Sequence, residues 1–162
     1  LTIVPSKRKN SSSSTGALNG FLSADRILFN VAASSKKRML EELSALLSRH
    51  QAPLNRHTVF QVLNERERLG STGIGNGIAL PHGRLNGISE PLAAVLRLRQ
   101  GLDFDAVDDQ PVTFVIGLVV PADATEQHLK ILASLAQIFS EAGHRSRILK
   151  ARDVDSLLNL LA

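Results

Sequence analysis

A glycine-rich segment at residues 70–84 constrains the fold of this chain more than any other stretch. It reads GSTGIGNGIALPHGR and places four glycines within eight positions, at 70, 73, 75 and 77. Glycine loses more backbone entropy on ordering than any other residue, so the cluster predicts a loop with positive φ or close approach, not a regular helix or strand. Residues 78–80, which read IAL, then predict a short buried strand.

The same segment has the chemistry of an anion site. Backbone N–H groups that converge in a glycine loop bind anions, and Ser71 and Thr72 add hydroxyl donors. Pro81 fixes φ and delivers His82 at the end of the short strand, directly before Gly83. Because a neutral imidazole has one ring nitrogen free for in-line attack on phosphorus, a histidine here can hold a phosphoryl group. The alternative is a histidine that only caps a turn.

Common nucleotide, hydrolase and metal motifs do not fit. The phosphate loop needs G-x-x-x-x-G-K-[ST], and no lysine follows a glycine at that spacing. The glycines give G-x-G-x-G, not the dinucleotide pattern G-x-G-x-x-G, and the serine elbow G-x-S-x-G is absent. No pair of histidines has metal-ligand spacing, and the aspartates at 103, 105, 108 and 109 fail the calcium-loop spacing. We therefore expect neither a metal nor a cofactor.

Two further residues are candidates for this site. Arg66 lies near the end of a predicted helix over 56–69, three residues beyond Leu63 of its apolar stripe. A guanidinium there suits forked phosphate contact, or it is a solvated arginine that favours the helix dipole. His128 begins the apolar stripe of a predicted helix over 124–141, and its pattern fits either a site residue or a hydrogen-bonded core histidine. Asp123 and Glu126 resemble a capping box for that helix.

Arg84 and the other three histidines are less informative. Arg84 has two interpretations: it contacts phosphate or an acidic partner, or it is a solvated surface residue. His50, His57 and His144 lie in polar, turn-like or helix-end contexts.

The motif GSTGIGNGIALPHGRL resembles the active-site signature of the IIA proteins of the bacterial phosphotransferase system, in the fructose, mannitol and nitrogen-regulatory family. The similarity covers about residues 21–162 and is greatest to the nitrogen-regulatory branch. It includes Ser35-Lys36-Lys37-Arg38, Arg66-Glu67-Arg68-Leu69, Phe104-Asp105-Ala106-Val107-Asp108, Val119-Val120-Pro121-Ala122 and His128-Leu129. The resemblance implies a phosphocarrier with a phosphohistidine intermediate, not a turnover enzyme for a small molecule.

Site roles follow from this resemblance. It implies that His82 takes a phosphoryl group from the phosphocarrier protein HPr or its nitrogen-pathway relative, and that Arg66 and His128 assist. The predicted phosphoryl-binding loop consists of Gly70, Ser71, Thr72, Gly73, Gly75, Gly77 and Gly83. No sugar-specific IIB or membrane IIC unit is recognised, which favours regulation of other proteins by phosphorylation state. The alternatives are a sugar-transport IIA component for fructose or mannitol, and a non-phosphorylated binding or sensor module of the same fold.

The alternation of predicted strands and helices indicates an α/β fold. Strands are predicted near 27–32, over 92–99 and over 112–120, and helices over 36–49, 56–69 and 124–141, with two short helices at the C-terminus. The resemblance implies a single domain, a mixed β-sheet with helices on both sides. A length of 162 residues with 43% hydrophobic composition suffices for one core. The absence of cysteine, of a signal-peptide pattern and of a 20-residue apolar run leads us to expect a cytoplasmic protein without membrane insertion.

The net charge of +4 does not by itself indicate a nucleic-acid partner. Part of it comes from Lys7, Arg8 and Lys9, in a serine-rich segment over 1–20 that we expect to be a disordered tail before a domain over 21–162. The absence of Trp and Tyr leaves few side chains on which bases could stack. The basic residues 36–38 at a helix start are either a partner-facing patch or a solvated turn.

Overall fold

The computed structural model describes residues 16–52 and 54–162. The strands are β1 (Ile27–Val31), β2 (Gly73–Gly75), β3 (Ile78–Ala79), β4 (His82–Leu85), β5 (Leu92–Leu102) and β6 (Val112–Pro121). The helices are α1 (Lys36–Ser48), α2 (Arg56–Arg68), α3 (Thr125–Ser140), α4 (Ala142–Lys150) and α5 (Val154–Leu161), with a short 3-10 helix at Ala24–Arg26. The predicted long elements are confirmed to within a few residues at their ends.

The strands form one mixed sheet in the order β1-β5-β6-β3-β2, and β4 also pairs with β6. β1 is parallel to β5, β5 is antiparallel to β6, and β3 and β4 run parallel to β6 in succession along the same side. His82 is in register with Leu118 at the start of β4. Pairing with the long central strand therefore fixes the position of the histidine.

Side chains of β6 alternate between two cores, one on each face of the sheet. Phe114, Ile116 and Leu118 pack towards the N-terminal segment and α3, α4 and α5. Val115 and Val119 pack towards α1 and α2. Because successive strand residues point to opposite faces, a continuous apolar run is what a strand covered on both sides requires. The predicted mixed sheet with helices on both sides is confirmed.

The start of α1 and the end of α2 agree with capping signals in the sequence, whereas the start of α3 does not. The Ser35 side chain accepts a hydrogen bond from the Arg38 N–H at the start of α1, and Gly70, with φ +155°, follows the C-cap Leu69 at the end of α2. The predicted capping box of α3 is wrong, because the N-cap is Ala124 and no side chain caps the helix. Asp123 lies one position too early to cap α3.

The expectation that the glycine cluster excludes a regular strand is also wrong. Gly73–Gly75 forms β2, which pairs antiparallel with β3. Asn76 and Gly77, with φ of 59° and 81°, make the two-residue connection between these strands. An Asn-Gly pair is the strongest short-range signal for a hairpin, since both of its residues tolerate positive φ. The sequence interpretation missed this signal and the short strand β4.

The packed part of the chain begins before the predicted domain boundary at residue 21. Leu18 is 0% exposed, and its N–H donates to the Leu161 carbonyl at 2.8 Å. The predicted tail residues 1–15, including the lysine and arginine cluster and the serine run, lie outside the described residues. Within the described part of the chain, no helix is long and apolar enough to cross a membrane.

Candidate functional site

A cleft of about 1090 Å³ opens where three elements meet, and it contains four of the predicted site residues, His82, His128, Arg66 and Gly83. His82 comes from the start of β4, His128 from the first turn of α3 and Arg66 from the last turn of α2. Arg84 and Gly83 of β4 also line it. Residues 62 positions apart in sequence are therefore brought to one edge of the sheet.

One hydrogen bond orients the imidazole of His82. Its Nδ1 lies 2.6 Å from the Leu80 carbonyl oxygen, and the ring is half-buried. Because a carbonyl only accepts hydrogen bonds, Nδ1 must carry the proton and donate it. The lone pair of the neutral ring is then on Nε2, which makes Nε2 the nucleophilic atom.

His128 lies against His82 with its own Nε2 unused. The two ring centroids are 5.2 Å apart and the ring planes meet at 69°, an edge-on arrangement. The buried Nε2 of His128 has no hydrogen-bond partner among the described residues. Since buried polar atoms nearly always have a partner, this nitrogen is available to a group that enters the cleft.

Both histidines are disposed to be neutral. Burial lowers the pKa of His82, and although the Leu80 hydrogen bond and Glu67 raise this pKa, Arg66 lowers it further. Burial also lowers the pKa of His128, followed by the effects of His82, Arg84 and Arg66. A positive charge on either ring, added to those of the arginines in the cleft, is therefore unfavourable. Neutral imidazole is the form that attack on phosphorus requires.

Arginines surround the two rings. The Arg66 Nη1 donates to the Gly70 carbonyl at 2.9 Å, and the Arg84 Nη1 donates to the Thr125 Oγ1 at 2.8 Å. A guanidinium has five N–H donors, so each of these bonds leaves others for an anion. Arg68 also lines the cleft. Arg84 is exposed and lines the cleft, where its hydrogen bond to Thr125 joins β4 to α3.

The structure does not place most of the predicted phosphoryl-binding loop in this cleft. Only Gly83 of that set lines it, whereas Gly70, Ser71, Thr72, Gly73, Gly75 and Gly77 do not. Several of their hydrogen-bonding groups have partners within the protein: the Ser71 Oγ donates to the Phe104 carbonyl at 2.6 Å and accepts from the Gly73 N–H at 3.0 Å, and the Thr72 N–H and hydroxyl donate to Glu67. The lining of this cleft therefore does not support the anion-binding role predicted for these six residues.

Gly83 has a packing role beside its place in the cleft. A Cβ atom on this residue would lie 2.3 Å from the Val62 Cγ1 of α2, closer than real contacts allow. The glycine therefore permits close approach of α2 to β4. That approach brings the last turn of α2, and with it Arg66, to the edge of the cleft.

Sequence reasoning missed a buried ion pair behind the site. Glu67, not Arg66, is on the core side of α2, with only 6% of the residue exposed. Its Oε2 lies 3.0 Å from the Nζ of Lys36, so the side chain of this lysine is paired within the protein. Glu67 is four residues after the buried Leu63, and this spacing places both on the same face of the helix. The burial of Glu67 could have been predicted from it.

The three remaining histidines lie elsewhere. His50, His57 and His144 do not line the cleft. Across residues 16–52 and 54–162, no group of three or more His, Cys, Asp or Glu side chains could hold a metal ion.

The structure defines the chain as an α/β domain with a cleft of paired histidines and arginines at the edge of a mixed sheet. Residues 20–162 match the family described as phosphoenolpyruvate-dependent sugar phosphotransferase system, EIIA 2. The chain belongs to this family, as the motif predicted.

Relatives and solved structures agree with this assignment. The nitrogen regulatory protein of Pseudomonas aeruginosa is 42% identical over 144 residues, which are 89% of this chain and 94% of that protein. The crystal structure of nitrogen regulatory protein IIA-Ntr from Neisseria meningitidis matches with a TM-score of 0.83 and 37% identity, over 88% of this chain and 97% of that one. IIA mannitol from Escherichia coli shares the fold, with a TM-score of 0.70 and 23% identity over 86% and 98% of the chains.

Proposed function

We propose that this protein is a phosphocarrier of the nitrogen-regulatory type that accepts a phosphoryl group on the Nε2 of His82. The donor is an HPr-like phosphocarrier protein, and the phosphorylation state of His82 regulates partner proteins. The hydrogen bond from the His82 Nδ1 to the Leu80 carbonyl, 2.6 Å long, is the observation that carries this proposal. It leaves Nε2 as the nucleophile on a ring that lines an arginine-rich cleft.

The transfer step needs no proton to move. The Nε2 lone pair forms a bond to phosphorus while the bond between phosphorus and the donor's histidine nitrogen breaks, and that electron pair returns to the donor. Both nitrogens of the His82 ring are then substituted, so the ring is cationic as long as Nδ1 keeps its proton. The hydrogen bond to the Leu80 carbonyl keeps this proton on Nδ1 before and after the step. Without the proton, the lone pairs of Nδ1 and of the carbonyl oxygen would repel each other.

Positive and donor groups in the cleft stabilise the transferred group. The guanidinium groups of Arg66 and Arg84 reach from opposite elements, α2 and β4, towards the space beside the two histidines. The Nε2 of His128, which has no partner among the described residues, donates to a phosphoryl oxygen in its protonated tautomer. Phosphoryl transfer depends mainly on positioning and on charge stabilisation of this kind.

The relatives support regulation over sugar transport. Both the Pseudomonas aeruginosa protein and the Neisseria meningitidis structure carry the nitrogen regulatory name. A phosphoryl group on His82 changes the charge of the cleft. A partner that docks at the cleft therefore binds the phosphorylated and unphosphorylated forms differently, which is sufficient for regulation.

Intact-mass analysis tests this function. The protein is incubated with phosphoenolpyruvate, enzyme I and HPr, or with their nitrogen-pathway counterparts. We expect one acid-labile phosphoryl group on the wild type and on H57A, a control at an exposed histidine, and none on H82A. His128→Ala should still be modified, but about 10²-fold more slowly, as for the loss of one donor to a developing charge.

The absence of transfer from either donor set to folded wild-type protein would contradict the proposal and favour a binding module without phosphorylation. Modification that persists in H82A would assign the nucleophile elsewhere.

A further inference from the structure

Behind the cleft lies a carboxylate that the transfer step itself does not use. The side chain of Glu67 is 3% exposed and accepts three hydrogen bonds. These come from the Lys36 Nζ at 3.0 Å, the Thr72 N–H at 3.0 Å and the Thr72 hydroxyl at 2.6 Å. Lys36 is itself held over the ring of Phe104, 4.4 Å from its centroid. Glu67 thus joins the end of α2 to the start of α1 and to the segment that leads into β2.

The hydrogen bonds continue from Glu67 to the nucleophile. The Thr72 carbonyl accepts from the Leu80 N–H at 3.0 Å, and the Leu80 carbonyl accepts from the His82 Nδ1 at 2.6 Å. Thr72 is 4% exposed, so the path is shielded from water. Thr72 and Leu80 thus connect the buried charge of Glu67 to the proton of the His82 ring.

We propose that Glu67 is a positioning residue for His82, because it holds Thr72 and, through Thr72, the Leu80 carbonyl that keeps the proton on Nδ1 and the lone pair on Nε2. This inference rests on the proposed function of His82 as phosphoryl acceptor. It also assigns a role to the first half of the glycine-rich segment, which connects α2 to the strand that delivers His82.

The chemistry of Glu67 favours positioning over simple packing. A buried carboxylate has a large desolvation cost, and an apolar residue of similar volume often replaces a buried ion pair without loss of stability. A carboxylate, unlike an apolar side chain, accepts from an N–H, a hydroxyl and an ammonium at once and so fixes three elements in one geometry. The other ionisable groups that line the cleft with His82 are Glu65, Arg66, Arg68, Arg84 and His128, and four of these five are basic. Glu67 is the carboxylate whose charge raises the pKa of His82. The charge of Glu67 therefore also favours the cationic ring that exists after transfer.

Two pairs of variants test the positioning role. Thr72→Val keeps the shape of the side chain but removes the hydroxyl donor to Glu67, whereas Thr72→Ser keeps that donor. Glu67→Gln keeps the size of the side chain but removes its charge. The matched control is Glu42→Gln, which removes a charge from an exposed pair with Arg38 on α1.

Two measurements are made on each folded variant. The ring ¹⁵N chemical shifts of His82 report which nitrogen carries the proton, and rapid-quench mass analysis reports the rate of phosphoryl transfer. We expect Glu67→Gln and Thr72→Val to show a mixture of the two tautomers and to accept phosphate about 10- to 100-fold more slowly, as expected when a reacting atom is misplaced. Thr72→Ser and Glu42→Gln should match the wild type in both measurements.

Folded Glu67→Gln and Thr72→Val proteins with a wild-type tautomer and rate would overturn the positioning role and leave Glu67 as a packing residue. If Glu67→Gln does not fold, the comparison of Thr72→Val with Thr72→Ser decides the question. Failure of the proposed function has a different signature: the wild type takes no phosphoryl group, while the tautomer measurement still reports whether Glu67 acts on His82.

Discussion

At the scale of single residues, the environment of the two cleft histidines determines their protonation. Burial is the largest cause of the lowered pKa at both His82 and His128, and neighbouring cationic groups act in the same direction. The unfolded chain has no such environment, so its histidines titrate near the ordinary value of about 6.5. The folded state therefore binds fewer protons than the unfolded state in the pH range just below that value.

This difference predicts how stability depends on pH. Because the unfolded state binds more protons, the free energy of unfolding should decrease as the pH falls through about 6.5 towards the lower pKa values of the folded protein. Urea unfolding of the wild type and of His82→Gln at a series of pH values measures the effect, and the variant should show a shallower decrease. Equal slopes for the two proteins would contradict the assignment of lowered proton affinity to His82.

At the scale of elements, the approach of α2 to β4 sets the width of the cleft. Gly83 lies under Val62 with no room for a side chain, since a Cβ atom would be 2.3 Å from the Val62 Cγ1 and 3.4 Å from its carbonyl oxygen. Arg66 is one helical turn beyond Val62 on α2 and faces the same cleft. Any displacement of α2 from β4 thus moves Arg66 away from His82.

Gly83→Ala should consequently destabilise the protein by about 1–3 kcal/mol, the usual cost of inserting a methyl group into a packed interior. The double variant G83A/V62A should recover much of this loss, because removal of Cγ1 removes the closest contact. Chemical denaturation of the two single variants and the double variant gives the coupling energy. Additive effects would show that the contact between Val62 and residue 83 does not limit how closely the two elements pack.

At the scale of the whole molecule, the first and last described segments close one face of the sheet together. Leu18 and Leu161 are both 0% exposed, and a backbone hydrogen bond joins them. The Phe21 carbonyl accepts from the Ala93 N–H, which attaches the N-terminal segment to the start of β5. The N-terminal segment is therefore part of the core, on the face of the sheet opposite α1 and α2.

Leu18→Ala should destabilise the protein by about 2–5 kcal/mol, as for other leucines that leave a cavity in a core. Val107→Ala provides the control, since Val107 is 80% exposed and its truncation should change stability by less than about 0.5 kcal/mol. Denaturant midpoints of the two variants measure the difference. A small effect of Leu18→Ala would indicate that the N-terminal segment contributes little to the core.

Local sequence patterns predicted much of the fold and part of the site. The long helices and strands have strong periodicity or long apolar runs, and their stability depends on burial that these patterns describe directly. His82 was predicted to hold a phosphoryl group because proline and glycine flank it in a glycine-rich motif. The six residues of the glycine cluster were assigned to anion binding because a sequence does not show which N–H groups and hydroxyls already have partners, such as Ser71 with Phe104 and Thr72 with Glu67.

The sequence by itself determined the family and the two-sided α/β architecture, because both follow from neighbours or regular spacing along the chain. It also predicted the three site residues, Arg66, His82 and His128, that the structure brings to one cleft. Only the tertiary structure decided how the cleft is built: that the Nδ1 of His82 donates to the Leu80 carbonyl, that Arg84 lines the cleft, and that Glu67 and Lys36 form an ion pair behind it. These features depend on contacts between residues far apart in sequence, whose distances are set by the packing of helices against the sheet.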